Sequence, residues 1–237
     1  DSKQSRGLGD VYKRQMYGHP SGKMPVKSES KRNYNLGVGF QSFREHPFHI
    51  DNYGDPAEFQ YHDLVPLFKG DKFNAEEWAQ LFYLSGARFA GPVAEHHDGY
   101  AMWDSDVTPW NAKDTGPHRD IVGELADSIR KKGLKFITTF HHARMGKAPN
   151  ASNDRDKRKW YYYGREKYLE RNNLTYEDSD ELSKLYGSIS WDHFLQMWNE
   201  KLEEVIEKYR PDLIWFDSWL DRIPQKDRIE FVNTYLK

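Results

Sequence analysis

The sequence predicts an α/β fold built around a parallel sheet. Three runs of strand length are rich in β-forming residues and lie at 87–94, 134–140 and 212–216. Their nearly continuous apolar character indicates strands that are buried on both faces. Helical patterns lie between them, and alternating strands and helices require parallel strands joined by crossovers. This alternation fits either a doubly wound sheet or a barrel.

The helical segments show recognisable start and stop signals. Residues 74–85 begin with an asparagine cap and an acidic first turn, 119–132 end before a glycine, and 191–209 stop before a proline. A weaker strand pattern lies at 36–40. The charged, tyrosine-rich stretch 146–187 is interpreted as a long, partly helical excursion on one face of the fold.

Composition and charge exclude several classes of protein. The 237 residues include 35 Lys plus Arg and 37 Asp plus Glu. The chain therefore has no net positive charge that would attract nucleic acid or an anionic membrane. Cysteine is absent, which excludes disulfides, a catalytic thiolate and cysteine-ligated metals. Apolar runs are shorter than the roughly 18 residues of a membrane span. Aromatic residues reach 15%, which argues against disorder and suits flat ligands such as sugar rings.

The start of the chain differs in character from the rest. Residues 1–15 are polar, lack an apolar period and precede Met16, so we interpret them as a non-native or disordered leader. Residues 16–237 contain no linker or repeat, and α/β barrels of about 250 residues form single domains. We therefore predict one domain over 16–237.

Polar side chains follow each of the three clear strands. They are the EHHD run at 95–98 after the first strand, His141 and His142 after the second, and Asp217 after the third. The carboxyl ends of parallel strands meet at one edge of the sheet, where active sites of α/β proteins form. This clustering predicts an enzyme.

The residue types at this edge restrict the chemistry. His96 and His97 are adjacent in the chain and point to opposite faces of a strand, and no H-E-x-x-H spacing is present, so we predict no metal. The sequence lacks a G-x-S-x-G elbow and the glycine-rich phosphate loops, so no cofactor is predicted. What remains is the Asp217 carboxylate between Trp215 and Trp219, with imidazoles that can bind hydroxyls. This combination is typical of sites that handle sugars.

Several motifs closely resemble those of the family 29 α-L-fucosidases. The most specific is the HHDG-aromatic core at 96–100. The others are SGARF at 85–89, DVTPWN at 106–111, GPHRDIV at 116–122 and WFD at 215–217. Together they cover about 73–219 of the chain.

The resemblance implies a (β/α)8 TIM-like barrel, which we expect to be incomplete and truncated at both ends. It also implies a retaining exo-glycosidase that releases terminal α-L-fucose through a covalent glycosyl-enzyme, with a fucosylated glycan as its partner. By motif, Asp217 matches the nucleophile, His96 and His97 match histidines that hold fucose hydroxyls, and Trp215 matches a subsite wall. His141 is our further candidate for substrate binding.

The chain departs from the family pattern in three ways. It reads LGVGFQSFREHPF where the family has an I-H-W-G strand with a fucose-binding histidine. It reads ITTFHHARMG in place of a G-x-Y-Y-S-like strand end, so Phe140 replaces a tyrosine while His141 and His142 are expected at the rim. The family's general acid follows the nucleophile strand, so we expect it beyond Lys237 and expect this fragment to be inactive alone.

Two alternatives remain open at this point. One is a non-catalytic, carbohydrate-binding relative of the barrel, and the other is a glycosidase with a different sugar specificity. The sequence does not define the fucose linkage, the oligomeric state or the native compartment. A secreted, periplasmic or lysosomal location is implied by the resemblance, although no signal-peptide pattern is visible.

Overall fold

The computed structural model describes residues 51–54, 58–59, 61–96, 98–144, 173, 180–186, 189–217 and 220–237. The chain divides into two compact units. The first comprises 1–68 and 149–180, and its described part contains helix α1 (Tyr61–Leu64) and a 3₁₀ turn (Val65–Leu67). The second comprises 69–148 and 181–237 and contains the sheet. The strand predicted at 36–40 and most of the excursion at 146–187 lie outside the described residues.

The described sheet consists of parallel strands ordered around a central one. The strands are β1 (Phe89–Ala90), β2 (Val93–Glu95), β3 (Lys135–Phe140) and β4 (Leu213–Phe216). On one edge of β3, β1 pairs with its first half and β2 with its second half. On the other edge, β4 pairs with β3 from Ile137 to Phe140. The strands therefore succeed one another across the sheet in chain order, as βα units predict.

The first predicted strand is divided between β1 and β2 at Gly91 and Pro92. A β carbon on Gly91 would collide with the carbonyl of Ile137 on β3, so the two backbones approach more closely than any other residue would allow. Pro92 has no N–H to donate, but its carbonyl accepts a hydrogen bond from the Thr139 N–H at 3.1 Å. Pairing with β3 thus continues across the division.

The second unit contains helices α2 (Ala75–Leu84), α3 (Ile121–Lys131), α4 (Asp180–Tyr186, which starts at the unit boundary), α5 (Trp191–Tyr209) and α6 (Gln225–Tyr235). Two 3₁₀ turns, His142–Arg144 and Leu220–Arg222, follow β3 and β4. The three predicted helices are thus confirmed as α2, α3 and α5, with ends within two residues of those expected.

Side-chain caps define where these helices begin. Asn74 Oδ1 accepts from the Glu76 and Glu77 N–H groups at 3.1 and 3.2 Å. Asp120 Oδ1 accepts from the Gly123 N–H at 2.8 Å, and Ser190 Oγ caps α5 at 3.3 Å. Each cap satisfies an N–H that has no partner within its helix. Local sequence therefore fixes where α2, α3 and α5 begin.

The hydrophobic core lies between one face of the sheet and helices α3 and α5. Phe136 and Phe140 of β3 are completely buried on this face, as are Leu125 of α3 and Phe194 and Trp198 of α5. Additional fully buried members are Ile121, Ile129 and Val205. Full burial of such side chains stabilises a fold by about 1.5–3 kcal/mol each. This face of the sheet is therefore the stable foundation of the second unit.

The opposite face of the sheet carries large apolar side chains that the described residues leave exposed. Phe89 on β1, Leu213 on β4 and Trp215 on β4 are 61%, 43% and 56% exposed. The expectation that the strands are buried on both faces is therefore not met within the described part of the chain. There the strands form an open sheet, which agrees with the predicted α/β class and parallel order.

Candidate active site

The carboxyl ends of β2, β3 and β4 bring three of the predicted site residues together. The rings of His96 and His141 are stacked, with centroids 4.2 Å apart and planes inclined by 23°. His141 Nδ1 lies 3.3 Å from Asp217 Oδ2. Three adjacent strands thus contribute His96, His141 and Asp217 to one cluster, which we call the rim cluster.

Backbone hydrogen bonds beyond the strands hold the rim cluster in position. The His141 N–H donates to the Glu95 carbonyl at 3.0 Å, and the Asp217 N–H donates to the Phe140 carbonyl at 3.3 Å. Both bonds continue the pairing of the sheet by one residue. The relative positions of the three side chains are therefore set by the strand register.

Asp217 and Trp215 remain accessible at this edge. The Asp217 side chain is 55% exposed, so a ligand can reach its carboxylate. Trp215 precedes it by two residues on β4, and side chains alternate along a strand, so both lie on the same face of the sheet. Phe216 lies on the other face, where its ring packs against Phe140 and Trp198 with centroids 6.2 and 5.9 Å away.

The loop after β2 is shaped by the residues that follow the two histidines. His97 lies outside the described residues. Gly99 has a φ of +76°, and the Tyr100 N–H donates to Asp98 Oδ1 at 3.3 Å. Trp103 is completely buried and donates through Nε1 to Glu204 Oε2 at 2.6 Å. These residues give the loop its conformation.

His142 is not at the rim, and that expectation is wrong. Its ring is buried on the helix face of the sheet, stacked against Trp198 at 5.7 Å between centroids and in contact with Phe140 at 5.0 Å. Burial lowers the pKa of His142 well below its usual value, and the nearby Lys201 ammonium lowers it further. His142 is therefore a neutral core residue.

A buried ion pair beneath the rim was missed by the sequence analysis. Lys201 Nζ of α5 lies 2.9 Å from Glu95 Oε1, and both side chains are 0% exposed. Burial raises the pKa of Glu95, an effect that Lys201 opposes. Lys201 lies in the buried apolar stripe of α5, which also contains Trp198, Leu202 and Val205. A lysine within such a stripe is the signal that would have revealed a buried partner.

The described residues lack two features that would indicate other kinds of site. No group of three or more His, Cys, Asp and Glu side chains there is arranged to hold a metal ion. None of the described helices is long and apolar enough to cross a membrane. The rim cluster consists of two imidazoles, of His96 and His141, and the accessible carboxylate of Asp217.

A parallel sheet with helices on one face, and a carboxylate among imidazoles at the strand ends, is compatible with an α/β glycoside hydrolase, because barrel active sites lie at strand ends and these enzymes act through carboxylates. The family model described as alpha-L-fucosidase matches residues 10–236. The chain belongs to this alpha-L-fucosidase family.

Individual relatives agree with this assignment. The tissue alpha-L-fucosidase of Rattus norvegicus is 33% identical over 182 residues, which cover 76% of this chain and 32% of the relative. The tissue alpha-L-fucosidase of Homo sapiens is 33% identical over 173 residues, or 72% of this chain and 30% of the relative. The chain thus spans about a third of the length of these curated relatives.

Solved structures give the same result. The Thermotoga maritima alpha-fucosidase in complex with fucose superposes with a TM-score of 0.56 and 25% identity, covering 83% of this chain and 40% of the other. The same enzyme in another crystal structure gives a TM-score of 0.56 and 26% identity over 81% of this chain and 39% of the other. The fold of the chain is therefore similar to part of a fucosidase.

Proposed function

We propose that this chain supplies the nucleophile and part of the sugar site of a retaining exo-glycosidase that releases terminal α-L-fucose from glycans. Asp217 is the proposed nucleophile, while His96, His97 and His141 contact sugar hydroxyls and Trp215 lines the site. The observation that carries the proposal is the position of the Asp217 carboxylate, accessible at the strand ends and 3.3 Å from His141. The family membership of the chain supports the sugar and the reaction.

The proposed reaction has two displacements at the anomeric carbon. A carboxylate oxygen of Asp217 attacks that carbon while the glycosidic oxygen departs with a proton from a general acid. Water then attacks the glycosyl-enzyme, and the group that acted as the general acid now acts as a base that removes a proton from the water. This step releases fucose with retained configuration. In retaining enzymes the two carboxyl groups lie about 5–5.5 Å apart.

His141 can orient the nucleophile. His141 Nδ1 lies 3.3 Å from Asp217 Oδ2, so an imidazole with its proton on Nδ1 turns that proton toward the carboxylate and presents Nε2 as an acceptor for a sugar hydroxyl. The stacked ring of His96 limits the rotation of His141. Asp217 would therefore meet the anomeric carbon in a defined orientation, which is the condition for efficient attack.

Glu95 cannot be the general acid. The Glu95 carboxyl is buried on the helix face and paired with Lys201, so it cannot reach a sugar bound beside Asp217. From the family resemblance we expect the acid after the nucleophile strand. We propose that it is supplied from that later part of the fold.

We also propose that the sheet is part of a (β/α)8 barrel. The strands are parallel and follow chain order, the described helices α3 and α5 cover one face, and the fold is similar to part of a fucosidase. In a barrel the exposed face that carries Trp215 would face the interior. Trp215 would then lie beside the sugar at the top of the barrel.

The nucleophile can be tested by covalent trapping on this chain. Fluoride is a good leaving group that needs no general acid, and a 2-fluoro substituent slows hydrolysis of the glycosyl-enzyme. Incubation with 2-deoxy-2-fluoro-fucosyl fluoride should therefore add one fluorofucosyl group, which peptide mass spectrometry should locate on Asp217. Asp217→Asn should not be labelled, whereas the matched control Asp221→Asn should be.

Three other outcomes would count against the proposal. A label on another residue of the wild-type chain would mean that Asp217 is not the nucleophile. Fucose binding by calorimetry without any label would favour the non-catalytic relative. A label obtained equally with 2-deoxy-2-fluoro-D-galactosyl fluoride would favour a glycosidase of different specificity.

A further inference from the structure

The β2 strand contains an irregularity immediately before the rim cluster. Val93 pairs with Thr139 and Glu95 pairs with Phe140, so two steps along β2 match a single step along β3. Such an extra residue is a β-bulge, and it reverses the face on which the following side chains lie. Thr139 is on the exposed face and Phe140 on the helix face, so Val93 and Glu95 lie on opposite faces although they are two residues apart.

The reversal decides which polar residue reaches the site. With regular alternation, Glu95 would share the face of Val93, and His96 would point toward the helices. With the bulge, Glu95 points to α5 and His96 stacks on His141 beside Asp217. A shift of one residue would therefore exchange a histidine for a carboxylate at the rim.

The buried ion pair holds the strand in the reversed arrangement. Lys201 Nζ contacts Glu95 Oε1 at 2.9 Å. The second carboxylate oxygen, Glu95 Oε2, is buried and has no hydrogen-bond partner among the described residues. Lys201 lies in the apolar stripe of α5 and is completely buried, so a folded chain without the pair would contain an uncompensated buried charge. Attraction of Glu95 toward Lys201 therefore excludes the arrangement in which Glu95 faces the site.

We propose that Glu95 and Lys201 act together as positioning residues: their ion pair fixes the bulge in β2, so that His96 rather than Glu95 faces the sugar site. Neither residue touches the substrate. The link to fucose binding rests on the function proposed above, but the effect of the pair on the rim cluster does not. This role gives a reason for placing two charges in the core, where apolar residues of similar volume are often at least as stabilising.

The test uses charge-removing variants of the full chain. Glu95→Gln/Lys201→Met removes both charges and nearly preserves side-chain volume, so that no buried ion is left unpaired. The matched control is Lys135→Met, which removes a lysine that pairs with Asp212 at 2.8 Å at the other end of the same sheet. A charge-swapped variant, Glu95→Lys/Lys201→Glu, preserves the pair in reverse.

Two readouts report on the rim without any sugar. Nuclear Overhauser contacts between the His96 and His141 rings, assigned with His96→Gln and His141→Gln, report the stacking. Hydrogen exchange of the His141 amide reports its bond to the Glu95 carbonyl. In the double variant we expect loss of the ring contacts and exchange at least about tenfold faster, with a cooperative thermal transition. Lys135→Met should preserve both signals.

Each result decides the proposal. A folded double variant with wild-type ring contacts and exchange would overturn it, because the pair would then serve stability alone. If the double variant does not fold, the swapped variant decides: a folded protein with the wild-type ring contacts supports the proposal, and any other result overturns it. L-fucose affinity, measured in parallel by calorimetry, should fall about tenfold or more in the folded double variant. Absence of fucose binding by the wild type would count against the proposed function while leaving the test of positioning intact.

Discussion

Replacement of Gly91 by alanine tests the close approach of two strands in the sheet. A β carbon at this position would overlap the carbonyl of Ile137. The carbonyl belongs to the backbone, and the backbone also fixes the position of a β carbon, so no side-chain rotation can relieve the contact and the strands must separate. We expect Gly91→Ala to be strongly destabilising.

The size of the effect follows from what lies on either side of Gly91. Separation would weaken the bond from the Lys135 N–H to the Arg88 carbonyl, at 3.0 Å, and the bond from the Thr139 N–H to the Pro92 carbonyl, at 3.1 Å. Each is worth about 1 kcal/mol, and overpacking adds roughly 1–3 kcal/mol. The free energy of unfolding should therefore fall by about 3–5 kcal/mol, a large part of the 5–15 kcal/mol typical of a domain.

Urea denaturation followed by circular dichroism and tryptophan fluorescence would measure this change. The matched control is Gly133→Ala. Gly133 has a φ of +73°, and no atom lies within 4 Å of where its β carbon would be, so only the backbone conformation opposes alanine, at a cost of about 1–2 kcal/mol. A Gly91→Ala variant no less stable than the Gly133→Ala variant would refute the reasoning.

Three further predictions concern the site and the sheet. In a protein that includes the general acid, Asp217→Ala should lower kcat by several orders of magnitude, and added azide should partly restore activity. Retention of more than about a tenth of the wild-type activity on an aryl α-L-fucoside would contradict the assignment of Asp217 as the nucleophile. His96→Ala should weaken fucose binding by about 1–3 kcal/mol in calorimetry, and exhaustive EDTA dialysis should leave the wild-type affinity unchanged. The hydrogen bond from Lys135 lowers the pKa of Asp212 below its usual 3.8. The ionised Asp212 carboxylate therefore stabilises the fold fully above pH 3.8, and this stabilisation is lost as the pH falls through the lowered pKa. Asp212→Asn should lower the thermal midpoint at pH 6 but have less effect at pH 3.

The parts of the fold that depend on local sequence were predictable. Helix α2 begins where Asn74 caps it, and α5 ends at Tyr209, followed by Arg210 with a φ of +45° immediately before Pro211. The strands followed from β-forming runs, although the close contact at Gly91 divides the first of them. For the helix ends the decisive interaction lies within a few residues along the chain, whereas the division of the first strand depends on the distant Ile137.

The site was predictable only in part, because its details depend on which face each side chain occupies. Polar residues after three strands indicated the meeting of His96, His141 and Asp217. The placement of His142 was wrong because the sequence does not reveal the large aromatic partner, Trp198, that buries it. The reversal at Glu95 could not be foreseen, because it depends on a strand register and on a lysine 106 residues away.

That separation along the chain has a consequence for the order of folding. During synthesis at about 5–20 residues per second, Lys201 leaves the ribosome roughly 5–20 s after Glu95. The strands that precede α5 are complete by then, and β2 is free to adopt either alternation against β3. If the ion pair selects the alternation as proposed, we expect that selection to occur late, when α5 docks. Substitutions that slow the docking of α5 should therefore prolong the life of species with misaligned β2, even where the final structure is unchanged.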